Sequence, residues 1–207
     1  MILACLDLEG VFLPEIWINV AEKTGVKELK LTTRDINDYD KLMRYRLEIL
    51  KDNNIKLKDI ENVINTLEPL EGAKDFLDKL KSEFQVVILS DTFYQFAMPL
   101  MKKLDYPTLF CHNLKSDKEG FISDYILRVK DSKRNAVIKF KDMNFKTIAS
   151  GDSYNDVSML KEAHKGILFS PPENVVKEFP QFPVTYDYQN LWNEFIKAKD
   201  ELLRDYI

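Results

Sequence analysis

Ile2-Leu3-Ala4-Cys5-Leu6-Asp7-Leu8-Glu9-Gly10 is five apolar residues, an acid, and a second acid two positions further on. The apolar run is too brief for a helix and predicts a buried strand that presents Asp7 at its carboxyl end. Two later runs repeat the pattern. Val86-Val87-Ile88-Leu89 leads into Ser90-Asp91-Thr92, and Thr147-Ile148-Ala149 leads into Gly151-Asp152. A fourth short apolar strand is expected at 167–169. Between the runs the spacing is helical: 71–84 with Ala73, Phe76, Leu77 and Leu80 on one side, then a helix carrying Phe93, Phe96, Ala97, Leu100 and Met101. A helix capped by Asp131 and one over 157–163 follow the same spacing, and 109–114 with 121–129 read as a hairpin around the turn-rich 116–120. Strands alternating with helices predict a parallel sheet with right-handed crossovers.

The stretch after the first strand is different. Pro14 opens a helix with Ile16, Trp17, Val20 and Ala21 at helical spacing and Gly25 in the C′ place. Further helices are expected over 38–51 and 58–67, with Pro69 as the stop, and no strand-like run intervenes. Residues 14–69 are therefore expected to form a helical cap over the strands' carboxyl ends, with 1–13 and 70–207 forming the α/β core.

Composition narrows the function. The 207 residues are 45% hydrophobic and 31% charged, which is globular composition with enough apolar side chains for a core. Thirty basic against thirty-four acidic residues give a net charge of −4, which argues against nucleic acid as a partner. No apolar run approaches the roughly 20 residues needed to cross a bilayer, and the N-terminus lacks the basic region of a signal peptide. Cys5 and Cys111 have no CxxC spacing. No membrane association and a cytoplasmic location are expected.

Open α/β sheets bind ligands at the carboxyl ends of their strands, where the chain gathers Asp7, Glu9, Ser90, Asp91, Asp152 and Asp156. Acids in turns are common, and Asp7-Leu8-Glu9 alone would carry little weight. Several carboxylates in one crevice, however, call for a cation, and an all-oxygen donor set without nearby His or Cys points to Mg²⁺. Lys133 can offset a bound dianion, and with the Ser90 hydroxyl and the backbone N–H groups after it would cradle a phosphate.

These residues resemble the four motifs of the haloacid dehalogenase (HAD) superfamily of phosphotransferases. Asp7-Leu8-Glu9-Gly10 is similar to its DxDx motif with Glu as the second acid, and Ser90 after an apolar strand to the second motif. Lys133 matches the third, and Gly151-Asp152-Ser153-Tyr154-Asn155-Asp156 the fourth, GDxxxD. The resemblance implies a HAD-like Rossmannoid sheet flanked by helices, with an inserted helical cap. The cap's placement, Pro69-Leu70-Glu71-Gly72-Ala73 and the Ser-Asp-Thr wording resemble phosphoserine phosphatases. Cys5-Leu6-Asp7-Leu8-Glu9-Gly10-Val11 looks like the branch that also transfers the phosphoryl group to homoserine.

The resemblance implies Asp7 as nucleophile and Glu9 as acid and base. It implies Mg²⁺ on Asp7, the residue-9 backbone carbonyl and Asp152, and phosphoryl contacts from Ser90 and Lys133, with Asp91 and Asn155 close by. Asp156 is expected to orient Lys133 or the metal's waters, and Glu9 in place of Asp to help admit homoserine. On the helical wheel of 38–51, Arg46 lies at the centre of an apolar stripe of Leu42, Met43, Ile49 and Leu50. Two readings fit it equally on the pattern alone: capture of a substrate carboxylate, or an arginine that snorkels to solvent or pairs with a buried acid. The resemblance favours the first and implies Glu15 as the partner of the substrate ammonium, although an acid there would stabilise any helix N-terminus.

The expected partner is a small phosphorylated amino acid, bound by a monomer or homodimer. The alternatives are a HAD phosphatase for another small metabolite and a non-catalytic binding module on the same scaffold. A receiver domain fits less well, because it lacks a large helical insert. Trp17 and Trp192 are expected in the core, His112 and His164 without a metal, 179–183 as a rigid connection, and 27–30 and 197–204 as solvated faces.

Overall fold

The computed structural model describes residues 1–32, 35, 36 and 38–204, so the expected cap (14–69) and core (70–207) each include positions outside the described residues. The chain runs β1 (Ile2–Leu6), α1 (Ile16–Thr24), a 3₁₀ turn at Lys27–Lys30, α2 (Tyr39–Asp52), α3 (Leu57–Asn65), α4 (Ala73–Glu83), β2 (Gln85–Phe93) and α5 (Tyr94–Met101). It continues through β3 (Leu109–Ser116), β4 (Ile122–Ile126), α6 (Ser132–Asp142), β5 (Lys146–Gly151), α7 (Val157–Glu162), β6 (Lys165–Phe169), α8 (Glu173–Glu178), β7 (Val184–Thr185) and α9 (Tyr188–Arg204). Among the described residues no helix is long and apolar enough to cross a membrane.

The strands form one seven-stranded sheet in the order β4-β3-β2-β1-β5-β6-β7. All neighbours are parallel except the β3–β4 hairpin. β1 is central, between β2 and β5, so three acid- or hydroxyl-bearing strand ends lie side by side. The two-residue alternation of β1 divides the core. Leu3 and Cys5 join Val137, Met159, Leu160 and Val175 from α6, α7 and α8. Ala4 and Leu6 face the other way, into a cluster with Phe76 of α4, Phe96 of α5 and Phe195 of α9. That second cluster continues without a break through Ile16, Trp17 and Val20 of α1, Met43 and Leu50 of α2, and Ile60 and Ile64 of α3.

Four details differ from the sequence expectation. β2 does not stop at Leu89; it stays extended to Phe93, which is a strand residue and not a helical one. Its register with β3 shifts between Leu89 and Phe93, so Ser90-Asp91-Thr92 leaves the regular ladder while remaining extended. Asp131 precedes α6 but does not cap it: its backbone is left-handed (φ 49°), and its carboxylate accepts from the Ser158 hydroxyl at 2.8 Å. Ile49 is only partly buried; Leu47 takes its place in the stripe beside Arg46. Finally, 27–30 and 197–204 are not merely solvated faces: Leu29 is buried in the core, and 197–204 ends the 17-residue α9, which buries Leu191, Phe195, Ala198 and Leu202 against the sheet.

Candidate active site

Asp7 leaves the end of β1 with its amide donating to the Ser150 carbonyl of β5 at 2.9 Å. Its carboxylate accepts from the Leu8 amide at 2.7 Å and meets the Lys133 ammonium at 2.8 Å. Lys133 is 2% exposed, on the first turn of α6, and also contacts Asp156 at 2.7 Å and Asp91 at 3.6 Å. Burial alone would drive this ammonium towards neutrality, but Asp156, Asp7 and Asp91 outweigh it and hold its pKa well above the ordinary value.

Asp156 has both oxygens committed. One faces Lys133; the other accepts from the amides of Asp152 and Ser153 at 3.0 and 3.1 Å. These bonds tie the loop after β5 into a short turn. Gly151 is required beneath it, because a Cβ there would lie 2.3 Å from the Asp156 carboxyl carbon. Gly10, at φ +79°, likewise leaves room for Asp152, whose carboxyl carbon lies 2.5 Å from where its Cβ would be.

Oxygens of Asp7, Asp152 and Asp156 all lie within 4.8 Å of one another. Burial and the neighbouring carboxylates raise the Asp7 pKa well above its usual range and push Asp152 up to about 7. One lysine does not balance three such acids. The donor set is oxygen throughout and electrostatically short of positive charge, which suits a hard divalent cation.

Glu9 is partly buried. Burial and the nearby Glu15 push it up to about 7, while its carboxylate accepts from the Ile16 amide at 2.8 Å, at the start of α1. Ser90 is buried on the β2 extension, and its hydroxyl accepts from the Thr92 amide at 3.2 Å. Asp91 receives the Ser132 hydroxyl at 3.1 Å and the Asn155 side-chain amide at 3.4 Å, with His112 at 3.6 Å. Burial would raise the Asp91 pKa, but Lys133, His112 and Asn155 hold it below the usual carboxylate range.

Arg46 enters from α2 and is 6% exposed. Its guanidinium lies 4.5 Å over the Trp17 ring and donates to the Leu31 carbonyl at 2.8 Å. Its Nε has no partner, and among the described residues no acid forms an ion pair with it. Burial lowers its pKa to about 10, which leaves it charged at neutral pH. Glu15 precedes α1 and is exposed; its carboxylate accepts no hydrogen bond among the described residues and does not cap the helix.

The nine site residues expected from the sequence, Asp7, Glu9, Glu15, Arg46, Ser90, Asp91, Lys133, Asp152 and Asn155, all line one cavity of about 180 Å³. Thr92 of the expected polar strand end lines it too; Trp17 and Tyr39 also line it and were not anticipated, Trp17 having been expected in the core, where it is indeed buried. His112 was missed as a neighbour of Asp91. Its buried ring receives the Arg128 amide at Nδ1 (3.2 Å), which leaves Nε2 towards Asp91. A lone histidine on a hairpin strand carries no sequence signal for such a contact.

A buried aspartate at the end of the central strand, a lysine bridging it to a second acid, and a GDxxxD loop that fixes that acid define a phosphoryl-handling site on an α/β scaffold. The sequence profile of the haloacid dehalogenase-like hydrolases matches residues 9–164, and the chain belongs to that family. It is 59% identical to the phosphoserine phosphatase ThrH of Pseudomonas aeruginosa, over 98% of this chain and 99% of that protein. It is 28% identical to a phosphoserine phosphatase of Methanocaldococcus jannaschii, over 72% of this chain and 76% of that one. Among solved structures, a substrate-bound phosphoserine phosphatase complex superposes with a TM-score of 0.75 at 22% identity, covering 93% of this chain and 97% of the other.

Proposed function

We propose that the chain is a Mg²⁺-dependent phosphotransferase that takes the phosphoryl group from L-phosphoserine and passes it to water or to homoserine. The observation that carries this reading is Arg46: a buried, charged guanidinium with an unpartnered Nε, lining the same small cavity as Asp7 and Lys133. Such a group suits a substrate carboxylate, while Glu15 at the rim suits an ammonium. A phosphate, a carboxylate and an ammonium on one small molecule describe a phosphorylated amino acid. Near-complete alignment with ThrH supports the same substrate.

In this reading an Asp7 carboxylate oxygen attacks phosphorus, and the bond from phosphorus to the serine oxygen breaks. Glu9, whose pKa is raised to about 7, gives its proton to that oxygen from the protonated form and releases serine. The Glu9 carboxylate then takes a proton from water or from the homoserine hydroxyl as the new oxygen attacks the aspartyl-phosphate, which restores Asp7 and yields phosphate or phosphohomoserine. Lys133 and Ser90 hold the phosphoryl oxygens; Asp91 and Asn155 order Lys133 and the rim; Asp156 positions Lys133. Asp7, the residue-9 carbonyl and Asp152 would hold Mg²⁺, which supplies charge neutralisation for the phosphoryl group.

We assign 1–13 and 70–207 to a catalytic core and 14–69 to a cap that supplies Glu15 and Arg46. Buried free thiols at Cys5 and Cys111 are in keeping with the cytoplasm. The test is incubation with L-phosphoserine and Mg²⁺, with and without homoserine, followed by phosphorus NMR. Phosphate in both tubes and a phosphohomoserine resonance in the second are expected. Phosphate alone would remove the transferase half of the reading, and no turnover would overturn it.

A further inference from the structure

His112 is a buried ring on β3 that the reaction above does not use. It stands opposite Phe93, where the register of β2 against β3 shifts, and that irregularity re-aims the residues of β2 just before it. The result is that Oδ1 of Asp91 lies 3.6 Å from Nε2 of His112. The ring lines an outer groove of about 980 Å³ and is not among the residues around the inner cavity of about 180 Å³; Asp91 lines both.

The Arg128 amide donates to Nδ1 at 3.2 Å. That nitrogen therefore carries no proton, and the ring's proton sits on Nε2, the atom turned to Asp91. Asp91 has further partners on other elements. Its Oδ1 also receives the Ser132 hydroxyl at 3.1 Å. Its Oδ2 receives the Asn155 side-chain amide at 3.4 Å and lies 3.6 Å from the Lys133 ammonium. Lys133 is thus shared by three carboxylates, of which Asp91 has a side chain 31% exposed, against 5% for Asp7 and 0% for Asp156. The pull of Asp91 on the ammonium is therefore directed to the open side. An Asp91 carboxylate free to swing into the cavity would repel a phosphoryl dianion at close range. Held back against His112 and Ser132, it leaves that space to the dianion.

We propose that His112 is a positioning residue for phosphoryl binding: its Nε2–H holds the Asp91 carboxylate in place, and Asp91 in turn keeps the Lys133 ammonium turned to the cavity. The ring touches no substrate atom and moves no proton. This inference deepens the function proposed above; it rests on Lys133 holding a phosphoryl group and not on phosphoserine being the substrate.

Binding of inorganic phosphate in the presence of Mg²⁺, followed by calorimetry, tests the proposal without turnover. The amide of His112→Asn reaches the place of Nδ1 but not that of Nε2, and the dissociation constant for phosphate is expected to rise about tenfold in this variant. His112→Gln, whose longer side chain can put a donor at the place of Nε2, should recover most of the loss. In an Asp91→Asn background, His112→Asn should add nothing, because its partner is already gone. A ring that merely anchored Arg128 and packed on Phe93 would give the larger defect in His112→Gln and independent effects in the double variant. Either result would overturn the proposal, as would unchanged phosphate binding in a folded His112→Asn.

Circular dichroism checks the fold, and should the His112 variants not fold, the ring itself decides. In His164→Asn the remaining histidine is His112. Nitrogen-15 NMR should then show the proton on Nε2, with a resonance that moves on Asp91→Asn. A proton on Nδ1, or an Nε2 resonance indifferent to Asp91→Asn, would sink the idea. A wild-type protein that binds phosphate but turns over no phosphoserine would remove the substrate assigned above and leave the phosphate result to decide the role of His112. One that binds no phosphate would overturn that role outright.

Discussion

Glu9 illustrates how one methylene ties chemistry to architecture. Its carboxylate reaches the first amide of α1 at 2.8 Å, so the residue two positions after Asp7 also anchors the first helix beyond it. An aspartate would fall short by about 1.5 Å, a displacement large on the scale of proton-transfer geometry. Glu9→Asp is expected to lose about 1 kcal/mol, the usual worth of a helix N-cap, and to change the ratio of transfer to hydrolysis. Urea melts and phosphorus NMR read the two effects separately, and an unchanged ratio would detach this glutamate from acceptor choice. Arg46→Lys should raise KM for phosphoserine about 10- to 100-fold with a smaller change in kcat, since a charged hydrogen bond is worth about 1.5–3 kcal/mol. His164 offers a test of pH. Burial and the nearby Lys146 and Lys141 lower its pKa from the ordinary 6.5. The unfolded chain therefore binds the proton more readily, and stability is lost as pH falls from about 6.5 through the lower folded value. Glu9 and Asp152, both raised to about 7, act in the opposite sense, so the histidine is read as a difference. Across roughly pH 5 to 8 the wild type should lose stability relative to His164→Asn as pH falls, as denaturation midpoints of the two would show.

At the scale of elements, the helices are held by their ends and by their buried stripes. α1 ends at Gly25 with φ 75°, a left-handed C′ residue whose Cβ would meet nothing within 4 Å. Gly25→Ala should thus cost about 1 kcal/mol through backbone conformation alone and leave turnover unchanged, as thermal melts and a phosphatase assay would show. The sequence made this helix legible because Pro14, the apolar spacing and Gly25 are all local signals. It made β1 and β5 legible for the same reason. It hid the length of β2, because Ser90-Asp91-Thr92 is polar and only pairing around the register shift keeps it extended. It also hid the role of Asp131, whose αL backbone and bond to Ser158 depend on α7 packing beside α6.

For the whole molecule, the decisive feature is a hydrophobic cluster that runs from the sheet through α4, α5 and α9 into α1, α2 and α3 without interruption. Helices that share a core with the sheet should unfold with it. Trp17 reports on α1 and Trp192 on α9, so Trp17→Phe and Trp192→Phe each leave one probe. The two are expected to show coincident urea transitions once each is referred to the midpoint found by circular dichroism. An earlier Trp17 transition would mean that the inserted helices melt separately.

The sequence by itself determined the α/β class, the order of strands and helices from β1 to β6, the placement of a helical insert after β1, and nine residues that come to line one cavity; it did not reveal α8, β7 or α9. The class, the order and the insert rest on information carried within a few neighbouring positions (apolar period, turn residues, and acids at the ends of apolar runs), whereas Glu15, Arg46 and Asn155 were reached through the resemblance to the HAD motifs. Tertiary structure alone decided that Asp156 also accepts from the loop amides, that Arg46 keeps an unpartnered Nε over Trp17, that His112 meets Asp91, and that the Tyr39 hydroxyl donates to the Asp91 carbonyl. The last three join residues far apart in the chain. Hydrogen bonds and desolvation act at distances of a few ångströms, which only the folded packing of β2, β3, α2 and α6 creates.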